Sequence, residues 1–98
     1  MISLTPKATR QVAVLTGYYQ RKQRPEAIRN MRAALVAAST MIERNPGTGK
    51  AYPSVYAELA QPGRSWVQSG RYWAAYSTTT TPVIVGFFYE TADIPSRL

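Results

Sequence analysis

Ninety-eight residues carrying twelve Lys and Arg against five Asp and Glu give a formal charge of +7, enough chain for one core and too little for two. At 45% apolar and 17% charged residues, the composition is that of a folding domain and excludes a disordered tail or a polybasic arm. Cysteine and histidine are both absent, which removes disulfides, thiolate nucleophiles, the usual zinc ligands and the usual neutral-pH proton carrier together.

In chain order, residues 1–7 lack the apolar stretch of a secretory signal, and no apolar run approaches the ~18 residues of a membrane helix. The expectation is a soluble, cytoplasmic protein with no membrane partner. Residues 2–4 suit a very short strand. Thr5 offers an N-cap hydroxyl and Pro6 fits the first helical position. Ala8, Val12, Leu15 and Tyr19 then recur every three or four residues, one face of a helix. After a polar break at residues 20–24, Pro25 and Glu26 open a second helix with the apolar stripe Ile28, Met31, Leu35, Ala38 and Ile42. Asn45-Pro46-Gly47 stops it. The two helices form an antiparallel hairpin.

The period then shifts to two. Val55, Ala57 and Leu59 alternate with Tyr56 and Glu58, predicting a half-buried strand. Residues 64–68 and 71–77 read as strands joined at Ser69-Gly70. The threonine run at residues 78–81 reads as a loop. Residues 83–89, nearly all apolar, read as a central strand covered on both faces. The predicted fold is two-layer α+β, one domain over residues 1–98, with the helical hairpin packed on a small antiparallel sheet in the order β-α-α-β-β-β, with one further strand allowed.

The charge is uneven: residues 1–50 carry net +7 and residues 51–98 net zero. Its densest stretch is Arg21, Lys22, Arg24, Arg29 and Arg32, interrupted only by Glu26, which is either a solvated face or a patch for a polyanion, nucleic acid or acidic protein. Gly47-Thr48-Gly49-Lys50 is no phosphate loop, because Arg44 and Ala51 stand where the pattern needs Gly and Ser or Thr. The five carboxylates show no metal-ligand spacing, so neither metal nor cofactor is expected. Arg64, Arg71, Tyr72, Lys50 and Arg97 are the residues left for metal-free RNA cleavage, the cations stabilising the phosphate while a Tyr or Glu moves protons; the bland alternative for Arg64 and Arg71 is a cross-strand pairing or an ion pair with Glu58 or Glu90. Trp66 and Trp73, with Tyr52, Tyr56, Tyr72 and Tyr76, read first as core or cross-strand packing.

The helical hairpin ending in Asn45-Pro46-Gly47-Thr48-Gly49 is followed by Tyr56-Ala57-Glu58-Leu59, Gly63-Arg64, Gly70-Arg71-Tyr72-Trp73-Ala74-Ala75-Tyr76 and Phe88-Tyr89-Glu90-Thr91-Ala92-Asp93-Ile94-Pro95. In that order the motifs resemble the RelE/ParE superfamily of type II toxins over nearly the whole chain. The resemblance implies a small basic toxin neutralised by an acidic, partly disordered antitoxin. It also implies one of two targets: RelE-like members cleave messenger RNA on the ribosome, whereas ParE-like members poison DNA gyrase and are not nucleases. Few basic residues follow the second helix, and the tail has Ala92 where relatives carry Arg, so the sequence is more similar to the ParE side. On that reading Arg64, Arg71, Tyr72, Tyr89, Glu90, Asp93 and Arg97 are the candidates for toxicity and none is catalytic. On the RelE-like reading Arg64, Arg71 and Tyr89 do the chemistry. A non-toxic basic nucleic-acid-binding module is the third class.

Overall fold

The computed structural model describes residues 1–79 and 81–97, with the side chain of Arg97 outside the description. Helix α1 spans Pro6–Arg21 and α2 spans Pro25–Arg44. Strands β1 (Arg64–Ser69), β2 (Tyr72–Ser77) and β3 (Val83–Tyr89) follow, and a single turn of helix, α3 (Ile94–Arg97), closes the chain. The sheet order is β1-β2-β3, antiparallel throughout. This is the predicted α+β architecture, a helical hairpin laid on a three-stranded sheet.

The local signals act where expected. The Thr5 hydroxyl accepts from Ala8 N at 3.2 Å, Pro6 opens α1, and Pro25 opens α2. The α2 stripe is the larger contributor to the core: Met31, Leu35, Ala38 and Ile42 are all buried, and each long apolar side chain removed from water contributes about 1.5–3 kcal/mol. They meet Val67, Tyr72, Ala74, Tyr76, Ile84 and Phe87 on one face of the sheet. The opposite face carries a smaller core of Trp66, Trp73, Ala75, Phe88 and Ile94, with Tyr56, Leu59 and Val85 against it. The tryptophans are therefore packing residues. A bulge separates the two sets on β3: Ala75 pairs with Gly86 but Tyr76 with Ile84, leaving Val85 extra. That one-residue slip lets Ile84 and Phe87 face the helices while Phe88 faces away.

Four expectations need correction. Residues 55–59 are not a strand but a turn leading into a 3₁₀ turn at Ala57–Leu59. The buried spacing is Tyr56 to Leu59, a helical interval, while Val55 is 81% exposed; Ser54, at φ 50°, bends the chain just before. Strand β3 is covered on both faces, as its apolar run predicts, but it is not central: β2 is. Facial burial says nothing about hydrogen-bond order. Residues 2–4 contribute only one parallel bridge, Leu4 to Ile84, held by Thr5 N to Ile84 O and Ile84 N to Ser3 O, each 2.9 Å. At the opposite edge Lys50 pairs with Trp66 on β1. Both outer strands are thus flanked by a short stretch of chain. The β1–β2 connection is Gly70-Arg71, since Ser69 pairs with Tyr72, and Gly70 takes φ +57°. Thr80, within the predicted threonine loop, lies outside the described residues. Among the described residues no helix is long and apolar enough to cross a membrane.

Candidate functional site

Because β1 and β3 run the same way and β2 runs back, the end of β1, the start of β2 and the end of β3 share one end of the sheet. Four of the predicted residues meet there. Arg71 Nη1 donates to Tyr89 Oη and Glu90 Oε1, both at 3.4 Å, and the hydrogen bond to Tyr89 is the main cause holding the guanidinium pKa above its ordinary value. Gln68 donates to the other Glu90 oxygen at 3.4 Å. Tyr72 stacks on Phe87 at 5.0 Å between ring centres, meets Tyr89 edge-on, and shares a 2.5 Å hydrogen bond with Tyr19 of α1. Burial, then that hydrogen bond, pushes the Tyr72 hydroxyl well above the usual tyrosine value. A phenol so held keeps its proton and serves poorly as a base.

The other candidates go elsewhere. Arg64 pairs with Ser77 at the far end of the sheet, about 17 Å of strand from the Ser69–Tyr72 pair. Asp93 faces outward and accepts from Ser96 Oγ at 2.7 Å. Arg97 closes α3, its side chain outside the description. The RelE-like trio is therefore divided: Arg71 touches Tyr89, and Arg64 joins neither. The ion pair foreseen for Arg71 forms with Glu90; among the described residues Arg64 makes none.

A second feature was missed in sequence. Lys7, Arg10, Val14, Tyr18 and Arg21 form a stripe along the outer side of α1, at the three-and-four spacing that sets side chains in line. It is exposed, with Val14 at 63% and Tyr18 at 48%. The stripe walls an open groove of about 860 Å³, whose other wall is the end of β3 and the following Thr91 and Ala92. Its middle is apolar and its ends are cationic. The available signal was Val14 and Tyr18, two large apolar residues four apart on the side away from the core stripe.

The basic stretch falls at the tip of the helical hairpin. Arg21, Lys22, Arg24, Arg29 and Arg32 are all exposed there. Among the described residues only Arg24 has a carboxylate partner, Glu26, at 3.4 Å. Arg24 and the nearby charge of Arg29 add to Glu26's own backbone hydrogen bond in lowering that carboxyl's pKa. Among the described residues no cluster of three or more metal-ligating side chains occurs. Neither a family model nor a curated protein matches the chain.

Proposed function

We propose that this chain is the toxin of a bacterial type II toxin–antitoxin pair, neutralised by an acidic antitoxin and acting on DNA gyrase by protein contact. The observation that carries the reading is the α1 groove. An apolar floor between cationic ends fits an amphipathic segment bearing carboxylates, and a partly disordered acidic antitoxin would order itself on such a surface. The net charge of +7 favours the same partner.

Contact is favoured over chemistry by the placement of the candidate residues. Arg64 lies at the other end of the sheet from Arg71 and Tyr89, whereas phosphoryl transfer needs its cations and its proton carrier within reach of one phosphate. Tyr72 is held protonated by its surroundings. The hairpin-end cluster, with Arg71 exposed and Tyr89 and Glu90 half-buried, is instead a polar surface suited to a protein target. The RelE-like nuclease keeps one supporting observation, the direct Arg71–Tyr89 contact.

Induction of the chain alone in bacteria, with labelled-precursor pulses, separates these readings. An early fall in DNA synthesis, with Arg71→Ala folded but less toxic, is the expected result. An early fall in protein synthesis with cleaved messenger RNA would transfer the assignment to the nuclease reading. Unchanged growth with soluble protein accumulating would remove both.

A further inference from the structure

The structure divides the cations into two sets with different surroundings. Lys7 and Arg10 border the apolar groove. Lys22, Arg29 and Arg32, with Arg21 at the junction, crown the hairpin tip, where no large apolar side chain is exposed between residues 19 and 35. We propose that this tip is a binding face for the phosphodiester backbone of a nucleic acid.

Residues 21–32 carry five cations and one carboxylate, net +4. Arg21 ends α1, Lys22 and Arg24 lie in the turn, and Glu26, Arg29 and Arg32 follow within about 12 Å of the start of α2 along its axis. Arg29 and Arg32, three apart, project from the same side of the helix. Among the described residues Arg21, Arg29 and Arg32 have no ion pair, and Lys22 Nζ sits 5.8 Å from the centre of the Tyr18 ring, with no carboxylate. The Arg24–Glu26 pair is exposed, at 61% and 56% of the two side chains, so it yields readily to a phosphate. A protein partner would want apolar area inside such a patch; a polyelectrolyte needs only the charges and their spacing. The face meets the groove at Arg21 and otherwise lies beyond it, and the inference rests on neither toxicity nor an antitoxin.

The test is fluorescence anisotropy of the full chain with a labelled 20-base-pair duplex DNA and, separately, a 20-nucleotide single-stranded RNA (~20 units each, longer than the roughly 4–16 that one small domain covers), across a salt series. Four unpaired cations predict a slope of log K on log salt of about −3.6 on the duplex and about −2.8 on the single strand. The Arg29→Gln/Arg32→Gln variant should halve the slope, while Lys7→Gln/Arg10→Gln leaves it unchanged. Whichever polymer binds more tightly identifies the source of the phosphates. Binding without a salt slope, equal loss from both variants, or no binding by folded protein would overturn the proposal and leave the tip a solvated face. Circular dichroism of both variants establishes that they are folded.

Discussion

The Tyr76 hydroxyl is the sharpest test of how the loop after α2 is fastened. The ring is fully buried in the main core, while its hydroxyl donates to Pro46 O at 2.6 Å and accepts from Gly49 N at 3.0 Å. Tyr76→Phe keeps the ring and removes both bonds. At about 0.5–1.5 kcal/mol net for each hydrogen bond, the loss is about 1–3 kcal/mol. For a domain of this size, a loss of ~2 kcal/mol corresponds to a fall in Tm of about 8–16 °C. Urea unfolding followed by the fluorescence of Trp66 and Trp73, both buried, reads it directly, with the m-value expected to hold. Gly49→Ala supplies the second arm. A Cβ there would run into Tyr76 Oη and lie 2.7 Å from Ser65 Cβ. Removing the hydroxyl relieves one of the two clashes, so the double variant should cost less than the sum of the singles. Strict additivity, or a Tyr76→Phe loss below about 0.3 kcal/mol, would refute this account of the loop.

Tyr72 predicts an alkaline effect. Its folded-state pKa is raised, chiefly by burial and then by Tyr19, so its contribution to stability is full below the unfolded value near ~10 and is lost as pH rises toward the folded one, by at most about 1.4 kcal/mol per pH unit. Tyr72→Phe should flatten the stability profile above pH ~10; an unchanged slope in urea melts would contradict the assignment. Ile94→Ala should cost about 2–5 kcal/mol, because Ile94 is completely buried among Trp66, Trp73 and Phe88; a change within 0.5 kcal/mol, roughly the noise of surface substitutions, would mean that the tail does not hold the second face. Val14→Glu/Tyr18→Glu, at exposed positions, should leave the melting curve within about 0.5 kcal/mol yet abolish rescue by the proposed acidic antitoxin; full rescue would move that partner off the groove.

The helices were legible because each carried several agreeing signals: Thr5-Pro6 at one start, Pro25-Glu26 at the other, and apolar residues every three or four positions between. The three strands and the Gly70 turn were legible for similar reasons. What failed was whatever depends on the partner of a segment and not on the segment itself. Residues 55–59 alternate, yet only Tyr56 and Leu59 find the second core. The apolar run of β3 describes two covered faces and is silent about its neighbours. Arg64 and Arg71 lie seven residues apart in a hairpin, and only the register, Arg64 to Ser77 and Ser69 to Tyr72, reveals that they stand at opposite ends. Charge allowed Arg71 an ion pair with Glu58 or Glu90, and the Tyr72 to Tyr89 register is what selects Glu90.

The segment after β3 ties the two halves of the molecule together. Tyr89, Thr91 and Ala92 wall the groove beside α1, and Ile94, two residues further on, is fully buried on the opposite face of the sheet. The intervening chain is short and fixed at both ends: Ala92 N donates to Tyr89 O at 3.0 Å, and Ser96 N to Asp93 O at 3.2 Å. A partner seated in the groove would touch Tyr89, which accepts from Arg71. Groove and hairpin-end cluster share Tyr89, so occupancy of the first bears on the geometry of the second with no need to cover it. An antitoxin bound along α1 would on this arrangement act both by blocking access and by fixing the tail, and the two effects separate in Ile94→Ala, where the tail is loosened while the groove stripe of α1 is untouched.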